Sequence, residues 1–323
     1  VFNGEIYNYK ELRIELMALG YEFTTESDTE VIIHAYEQYG ADCFNHFNGM
    51  WGLAIYDKDK DTLFLSRDRF GIKPLYYFDD GDNLIFSSML TSFREHEIEL
   101  APNDRAVMEY LAFSLTQHNQ DTFFANIYSL LPGHILIYDL KSRKNRIKQW
   151  YCPMPASDKD PDSLNQAFHD AVRWRTVSDV PVGVCLSGGV DSSAITCILD
   201  KQLSGEFNTF SLVAPGSPVD ESRFIDEVVR LTNAQPYKTQ VEPDRFLKDI
   251  KDFVSAMEEP VTGLSAYAQY CVFRLAHEHG AKVLLDGQGG DELFGGYAYY
   301  WAYYYYELFR AGRWGRLLRN MLI

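Results

Sequence analysis

Residues 183–193 read Gly-Val-Cys-Leu-Ser-Gly-Gly-Val-Asp-Ser-Ser, an acid and three hydroxyls gathered around a glycine pair. An apolar run from Val180 to Leu186 leads into the glycines, and a helix opening at Asp191 and reaching about Leu199 follows them. Strand, glycine-rich loop and helix amino terminus, in that order, make a seat for phosphate. The glycines let backbone N–H groups approach an anion, and the helix end adds orphan donors and a positive dipole. Asp191 makes sense beside a phosphate if magnesium lies between them, because hard cations take carboxylate and phosphate oxygens together. No Gly-Lys-Ser/Thr follows, so this is not the Walker arrangement. The competing reading is a Ser/Gly-rich turn with no ligand.

A second cluster of the same kind is Leu285-Asp-Gly-Gln-Gly-Gly-Asp-Glu-Leu-Phe-Gly-Gly-Tyr297, again directly after an apolar run. Asp291 could hold the same magnesium, opposite Asp191. Its rival reading is a glycine-rich turn in which Asp291 and Glu292 cap the next helix. The segment Thr209–Val213, followed by Pro215-Gly-Ser-Pro218, would set Leu212 near an adenine; the rival is simply a buried strand.

These groups need elements to position them. With 323 residues and 46% hydrophobic content, the chain is long enough for two cored domains. In the first part, helices are expected at Tyr9–Leu19, closed by Gly20, and at Thr29–Tyr39, opened by the capping-box spacing Ser27-Asp-Thr-Glu30. Strands follow at Met50–Tyr56, Leu63–Arg67, Leu75–Phe78, Leu84–Ser87 and Ile135–Tyr138, with acidic turns that suggest an antiparallel sheet. The polar, proline-rich interval 153–162 reads as a linker, which gives domains over 1–152 and 163–323. Beyond it, strands at 182–186, 208–213 and 282–285 alternate with helices at 163–176, 191–202, 221–232, 265–279 and 297–310. Such alternation predicts a parallel sheet with helices on both faces and a ligand at the carboxyl ends of the strands. The aromatic-rich tail from Tyr297 reads as core packing, and Arg310, Arg313, Arg316 and Arg319 as a solvated face.

Charge and cysteine use bound the function. A net charge of −16 argues against nucleic acid or an anionic membrane as the main partner. Cys43, Cys152, Cys185, Cys197 and Cys271 form no CxxC pair, which suggests a reducing compartment without a disulfide framework or structural zinc. Cys43 is expected in a loop. No run approaches the roughly 18 apolar residues of a membrane span, and no signal-peptide pattern is present, so a cytoplasmic protein is expected. The chain opens at Val1, already inside a strand, and reads as a fragment of something longer.

Taken together, the motifs resemble the glutamine-dependent asparagine synthetase family. The first loop is similar to the pyrophosphate loop of enzymes that split ATP into AMP and pyrophosphate. The resemblance also rests on Phe2-Asn-Gly-Glu-Ile-Tyr-Asn8, Ser27-Asp-Thr-Glu30, Arg67-Asp-Arg-Phe-Gly-Ile-Lys-Pro-Leu-Tyr76 and Leu131-Pro-Gly-His134, in family order across essentially the whole chain. It implies an α+β amino-terminal-nucleophile glutaminase-like sandwich with antiparallel sheets. An α/β ATP-pyrophosphatase domain with a parallel sheet, of the adenine nucleotide α-hydrolase kind, would follow. In the first domain Asn3 and Gly4 would form an oxyanion hole, and Asn3, Glu5 and Asp28 would bind glutamine. Asn3-Gly4 is otherwise a favoured hairpin-turn pair, and Asp28 otherwise a helix-stabilising first-turn acid. In the second, Leu186, Ser187, Gly188, Gly189, Asp191, Ser192, Leu212, Asp286 and Gly287 would contact ATP, and Asp191 and Asp291 would carry Mg2+.

The implied activity is a carbon–nitrogen ligase that activates the aspartate side chain as an acyl-adenylate and aminates it with ammonia from glutamine. Glutamine, aspartate or another carboxylate, and ATP are then its small-molecule partners, with a homodimer among the assemblies the family allows. The family's nucleophilic cysteine and a carboxyl-terminal lysine are expected outside the given residues. Gln288 stands where many members have a glutamate; an amide can orient groups but takes no proton at neutral pH. The alternatives are an amide ligase or cyclase of the β-lactam synthetase or lasso-peptide type and a non-catalytic nucleotide-binding homologue.

Overall fold

A computed structural model describes residues 1–153 and 161–321; the linker expected at 153–162 falls mostly outside them. The chain divides into two compact units, one of Val1–Phe168 with Pro243–Tyr267, the other of His169–Glu242 with Ala268–Ile323. The interval 243–267 thus groups with the amino-terminal residues although it lies late in the chain.

Through residue 149 the elements are β1 (Phe2–Ile6), α1 (Tyr9–Ala18), α2 (Asp28–Tyr39), α3 (Cys43–His46), β2 (Gly49–Asp57), β3 (Thr62–Arg67), β4 (Tyr76–Asp79), β5 (Leu84–Ser87), α4 (Asp104–Phe113), β6 (Tyr128–Ser129), β7 (His134–Asp139) and β8 (Lys144–Gln149). Two antiparallel sheets result, ordered β1-β2-β3-β7-β8 and β5-β4-β6. Successive side chains of a strand face opposite ways, and the cores follow that rule. Leu53, Phe64 and Ile135 pack with Leu12, Leu16, Val31, Ile32 and Ala35 of the two first helices. Their neighbours Ala54, Leu65 and Leu136 pack instead with Leu75, Tyr77 and Leu130 around the second sheet. The layers are therefore helices, sheet, sheet.

Local signals set the helix ends. Gly20, at φ +100°, follows α1 while Gly20 N–H and Tyr21 N–H donate to Met17 O and Leu16 O at 3.0 and 3.1 Å, a Schellman closure. Ser27 caps α2 by accepting from Thr29 N–H at 3.1 Å. The reciprocal arm of the expected capping box is absent, because Glu30 accepts elsewhere: from Thr24 N–H at 2.8 Å and Thr25 N–H at 2.7 Å, and from both hydroxyls. Cys43 lies in the short helix α3, not in a loop, and is fully buried.

The later elements are α5 (Pro161–Arg175), β9 (Val182–Cys185), α6 (Val190–Gln202), β10 (Phe207–Leu212), α7 (Ser222–Leu231), β11 (Ala234–Thr239), α8 (Pro243–Met257), α9 (Ser265–Glu278), β12 (Val283–Leu285), α10 (Gly290–Phe294), α11 (Ala298–Arg310) and α12 (Trp314–Met321). The sheet is parallel, ordered β11-β10-β9-β12. Cys185 and Phe210 pack with Val272 and Ala276 of α9, whereas Leu186 and Val213 pack with Ile225 and Val228 of α7, so both faces are covered by helices. The aromatic tail departs from its reading as core. Tyr299, Trp301, Tyr303 and Tyr306 are all more than half exposed, and rings such as Tyr297 and Tyr299 stack on each other at 5.3 Å. In α11 only Leu308 is buried.

Candidate active sites in the two units

In the parallel sheet the chain runs outward from β9 to β10 to β11 and then returns to the other side of β9 as β12. The strand order thus reverses between β9 and β12, and open α/β sheets bind ligands at the carboxyl ends of strands flanking such a reversal. Both glycine-rich loops leave from there. After β9, Gly188 takes φ +89°, and a side chain there would meet Glu221 O and Phe224 Cβ at 3.1 Å. The turn is stitched by hydroxyls: Ser187 N–H donates to Ser192 Oγ at 3.2 Å, Gly189 N–H to Ser187 Oγ at 3.2 Å, and the two hydroxyls meet at 3.0 Å. Gly189 is the N-cap of α6, whose ladder starts with Ser193 N–H donating to Gly189 O at 3.0 Å. Helix donors before Ser193 have no intrahelical acceptor and face whatever lies ahead of the helix.

The second loop closes against the first. A Cβ on Gly287 would stand 3.2 Å from Ser192 N and 3.3 Å from Asp191 Cβ, and one on Gly290 would stand 2.4 Å from Asp191 Oδ2. Glycine at both positions is what lets the Asp191 carboxylate lie on the 286–290 backbone. Asp286, half-buried at the end of β12, accepts from Gln288 N–H at 3.2 Å through Oδ1 and from Gln269 Nε2 at 2.9 Å through Oδ2. The Gln288 side chain is exposed, and the Asp291 carboxylate lies along Gly296, which has no side chain to displace it. Leu186 is buried with Val213, and Leu212 ends β10 half-buried beside Cys185 and Phe210.

In the amino-terminal unit, Asn3 and Gly4 lie inside β1, paired with Gly52 and Trp51 of β2, so the hairpin-turn alternative does not hold. Asn3 and Glu5 share the exposed face of the strand. A side chain at Gly4 would stand 2.1 Å from Met50 O. Asn3 Nδ2 donates to Ser88 Oγ at 3.0 Å, a partner that no nearby sequence signal announces. Asp28 opens α2 and accepts from Ile6 N–H at 3.0 Å, which ties the helix start to the end of β1. The residues proposed around glutamine therefore come from one strand and the helix end bonded to it. Cys43 contributes no nucleophile to them, because burial pushes its thiol up to about 12.

Residues 1–151 match the family model of a glutamine amidotransferase domain, and residues 163–322 match that of asparagine synthase. The chain belongs to the glutamine-hydrolysing asparagine synthetase family. It is 33% identical over 305 residues to asparagine synthetase (glutamine-hydrolyzing) 1 of Bacillus subtilis, covering 93% of this chain and 48% of that protein. It is 31% identical over 314 residues to asparagine synthetase B (glutamine-hydrolyzing) of Escherichia coli, covering 92% of this chain and 52% of that protein. The chain thus spans about half the length of these curated relatives. Among solved structures, the glutamine phosphoribosylpyrophosphate amidotransferase of B. subtilis aligns at 14% identity and a TM-score of 0.35 over 88% of this chain and 70% of that one, too loosely to argue from.

For a member of the asparagine synthetase family, the fit of a magnesium ion can be judged from the residues present. Among the described residues no three His, Cys, Asp or Glu side chains gather as a metal cage. Magnesium, however, is usually held by one or two carboxylates together with substrate phosphates. Asp191 and Asp291, each lying against a glycine backbone, suit that shared arrangement and not a metal site made of protein alone. No helix among the described residues is long and apolar enough to cross a membrane.

Proposed function

We propose that the protein is an ATP-dependent amidotransferase of the asparagine synthase type, converting aspartate, glutamine, water and ATP to asparagine, glutamate, AMP and pyrophosphate. The observation that carries this reading is the meeting of the two glycine-rich loops, Asp191 against Gly290, at the reversal of strand order. In it, Ser187, Gly188, Gly189 and Ser192 cradle the pyrophosphate end of ATP with backbone N–H and hydroxyl donors. Asp286 and Gly287 border it from the other side, and Leu186 and Leu212 offer apolar surface to the base. Asp191 and Asp291 would hold magnesium, which when bound offsets phosphate charge and improves the leaving group. The carboxylate of aspartate attacks the α-phosphorus, pyrophosphate leaves, and ammonia then displaces AMP from the acyl-adenylate.

In the amino-terminal domain, Asn3 and the Gly4 N–H stabilise the oxyanion formed as the glutamine amide is attacked, donors placed where charge develops. Glu5 and Asp28 bind the substrate's ammonium group. The functional division falls at 153–162, with glutamine chemistry before it and ATP chemistry after. Cytoplasmic location and a homodimer go with this reading.

The test is pyrophosphate release from Mg-ATP by the full-length protein, with and without aspartate, using ammonium and then glutamine as nitrogen donor. Aspartate-dependent release with asparagine as product is expected. Release that ignores aspartate would move the proposal to another carboxylate, and ATP binding without turnover for any acceptor would sink it.

A further inference from the structure

Half-buried on α9, Gln269 turns its amide to the carboxyl ends of the two strands that flank the reversal. Its Nε2 donates to Asp286 Oδ2 at 2.9 Å and approaches Cys185 Sγ at 3.8 Å. The other carboxylate oxygen, Oδ1, accepts from Gln288 N–H, so Asp286 is held from two directions by neutral donors. Cys185 adds no charge: burial first, and then the neighbouring Asp286, push its thiol up to about 12. From Asp286 the loop runs at once into Gly287 and Gly290, on which the Asp191 side chain and the start of α6 rest. A shift of Asp286 would therefore move the floor under Asp191.

Resting on the nucleotide-site reading above, we propose that Gln269 is a positioning residue of that site, fixing Asp286 and through it the 286–290 loop that seats Asp191. The residue type matters for a physical reason. A lysine or arginine would neutralise Asp286 beside the anion seat, and a glutamate would set two carboxylates against each other and raise the pKa of one. An apolar side chain would leave a half-buried carboxylate oxygen short of its donor. A neutral amide holds the loop and leaves the charge of Asp286 intact.

The test uses the full-length protein with three replacements: Gln269→Met, which keeps the volume but removes the donor; Gln269→Glu; and Gln269→Glu with Asp286→Asn, which exchanges the two roles. In the exchanged pair the amide introduced at position 286 donates to the carboxylate introduced at position 269, while the amide oxygen still accepts from Gln288 N–H. Mg-ATP affinity is measured by calorimetry at pH 7.5, and exchange of the Gln288 amide is measured without ligand. Gln269→Met is expected to weaken binding about tenfold, as loss of one donor to a partly buried carboxylate would, and to speed Gln288 exchange. Gln269→Glu should be weaker still and should also speed Gln288 exchange, and the exchanged pair should restore slow Gln288 exchange, which a residue filling space alone would not do. Unchanged affinity in Gln269→Met, or Gln288 exchange in the exchanged pair no slower than in Gln269→Glu, overturns the proposal. If the unaltered full-length protein binds no Mg-ATP, the nucleotide reading fails; unchanged Gln288 exchange in Gln269→Met then overturns the role of Gln269 separately.

Discussion

Glu30 keeps its negative charge far into acid. The Thr24 N–H above all, then the Thr25 hydroxyl, the Thr25 N–H and the Thr24 hydroxyl, pull its pKa from 4.5 down to about 2. A carboxylate whose pKa is depressed on folding stabilises the fold above its ordinary pKa, and that contribution fades as pH falls through the folded value. Glu30→Gln should therefore be less stable than the parent at pH 7, with the gap closing between about pH 4.5 and 2, as read from urea midpoints across that range. At this scale, what was legible in the sequence is what is local. Ser187, Gly188 and Asp191 announce a tight strand-to-helix turn because glycines, hydroxyls and an acid stand together within a few positions. Gln269 and Ser88 do not, since their partners lie 17 and 85 positions away, and a lone glutamine or serine carries no sign of which distant group it will meet.

The segment that follows α8 acts as a strap on the amino-terminal unit. Glu258, at φ +58°, accepts from Leu90 N–H at 3.0 Å and from Thr91 N–H and Oγ1 at 2.8 and 2.6 Å, holding the first turn of the short 3-10 helix Thr91–His96. Glu259 accepts from Phe123 N–H at 2.8 Å, and Val261 O accepts from Tyr110 at 2.6 Å. Removing the Glu258 carboxylate would leave two partly buried N–H groups without acceptors, worth about 1–3 kcal/mol. Glu258→Ala should lower the unfolding free energy by that amount and speed amide exchange at Leu90 and Thr91; an unchanged urea midpoint would show that the strap carries no weight. The elements found from sequence alone are those with a clear period, such as α2 with Val31, Ile32 and Ala35, and β2 with its buried centre. Two strands that were missed lack one. Strand β11 contains Gln235, Pro236 and Lys238 yet is carried by six paired positions on β10, and β8 has no buried residue at all. Tertiary pairing, not local preference, makes these strands.

Taken whole, the chain divides into two units whose cores do not draw on the same residues. Mg-ATP at a hundred times its Kd should stabilise the parallel-sheet unit by about 2.7 kcal/mol, read from slowed amide exchange in β9, β10 and β12. Exchange there that ignores Mg-ATP would contradict this. Strand β8 is an edge strand: it ends the five-stranded sheet and exposes every residue of Lys-Asn-Arg-Ile-Lys-Gln. The outer backbone groups of an edge strand can template another strand, which is how sheets polymerise. Lys144, Arg146 and Lys148 along that margin mean that a second copy arriving in antiparallel register would bring like charges face to face. In a chain of net charge −16, this concentration of cations acts as a guard against fibre growth.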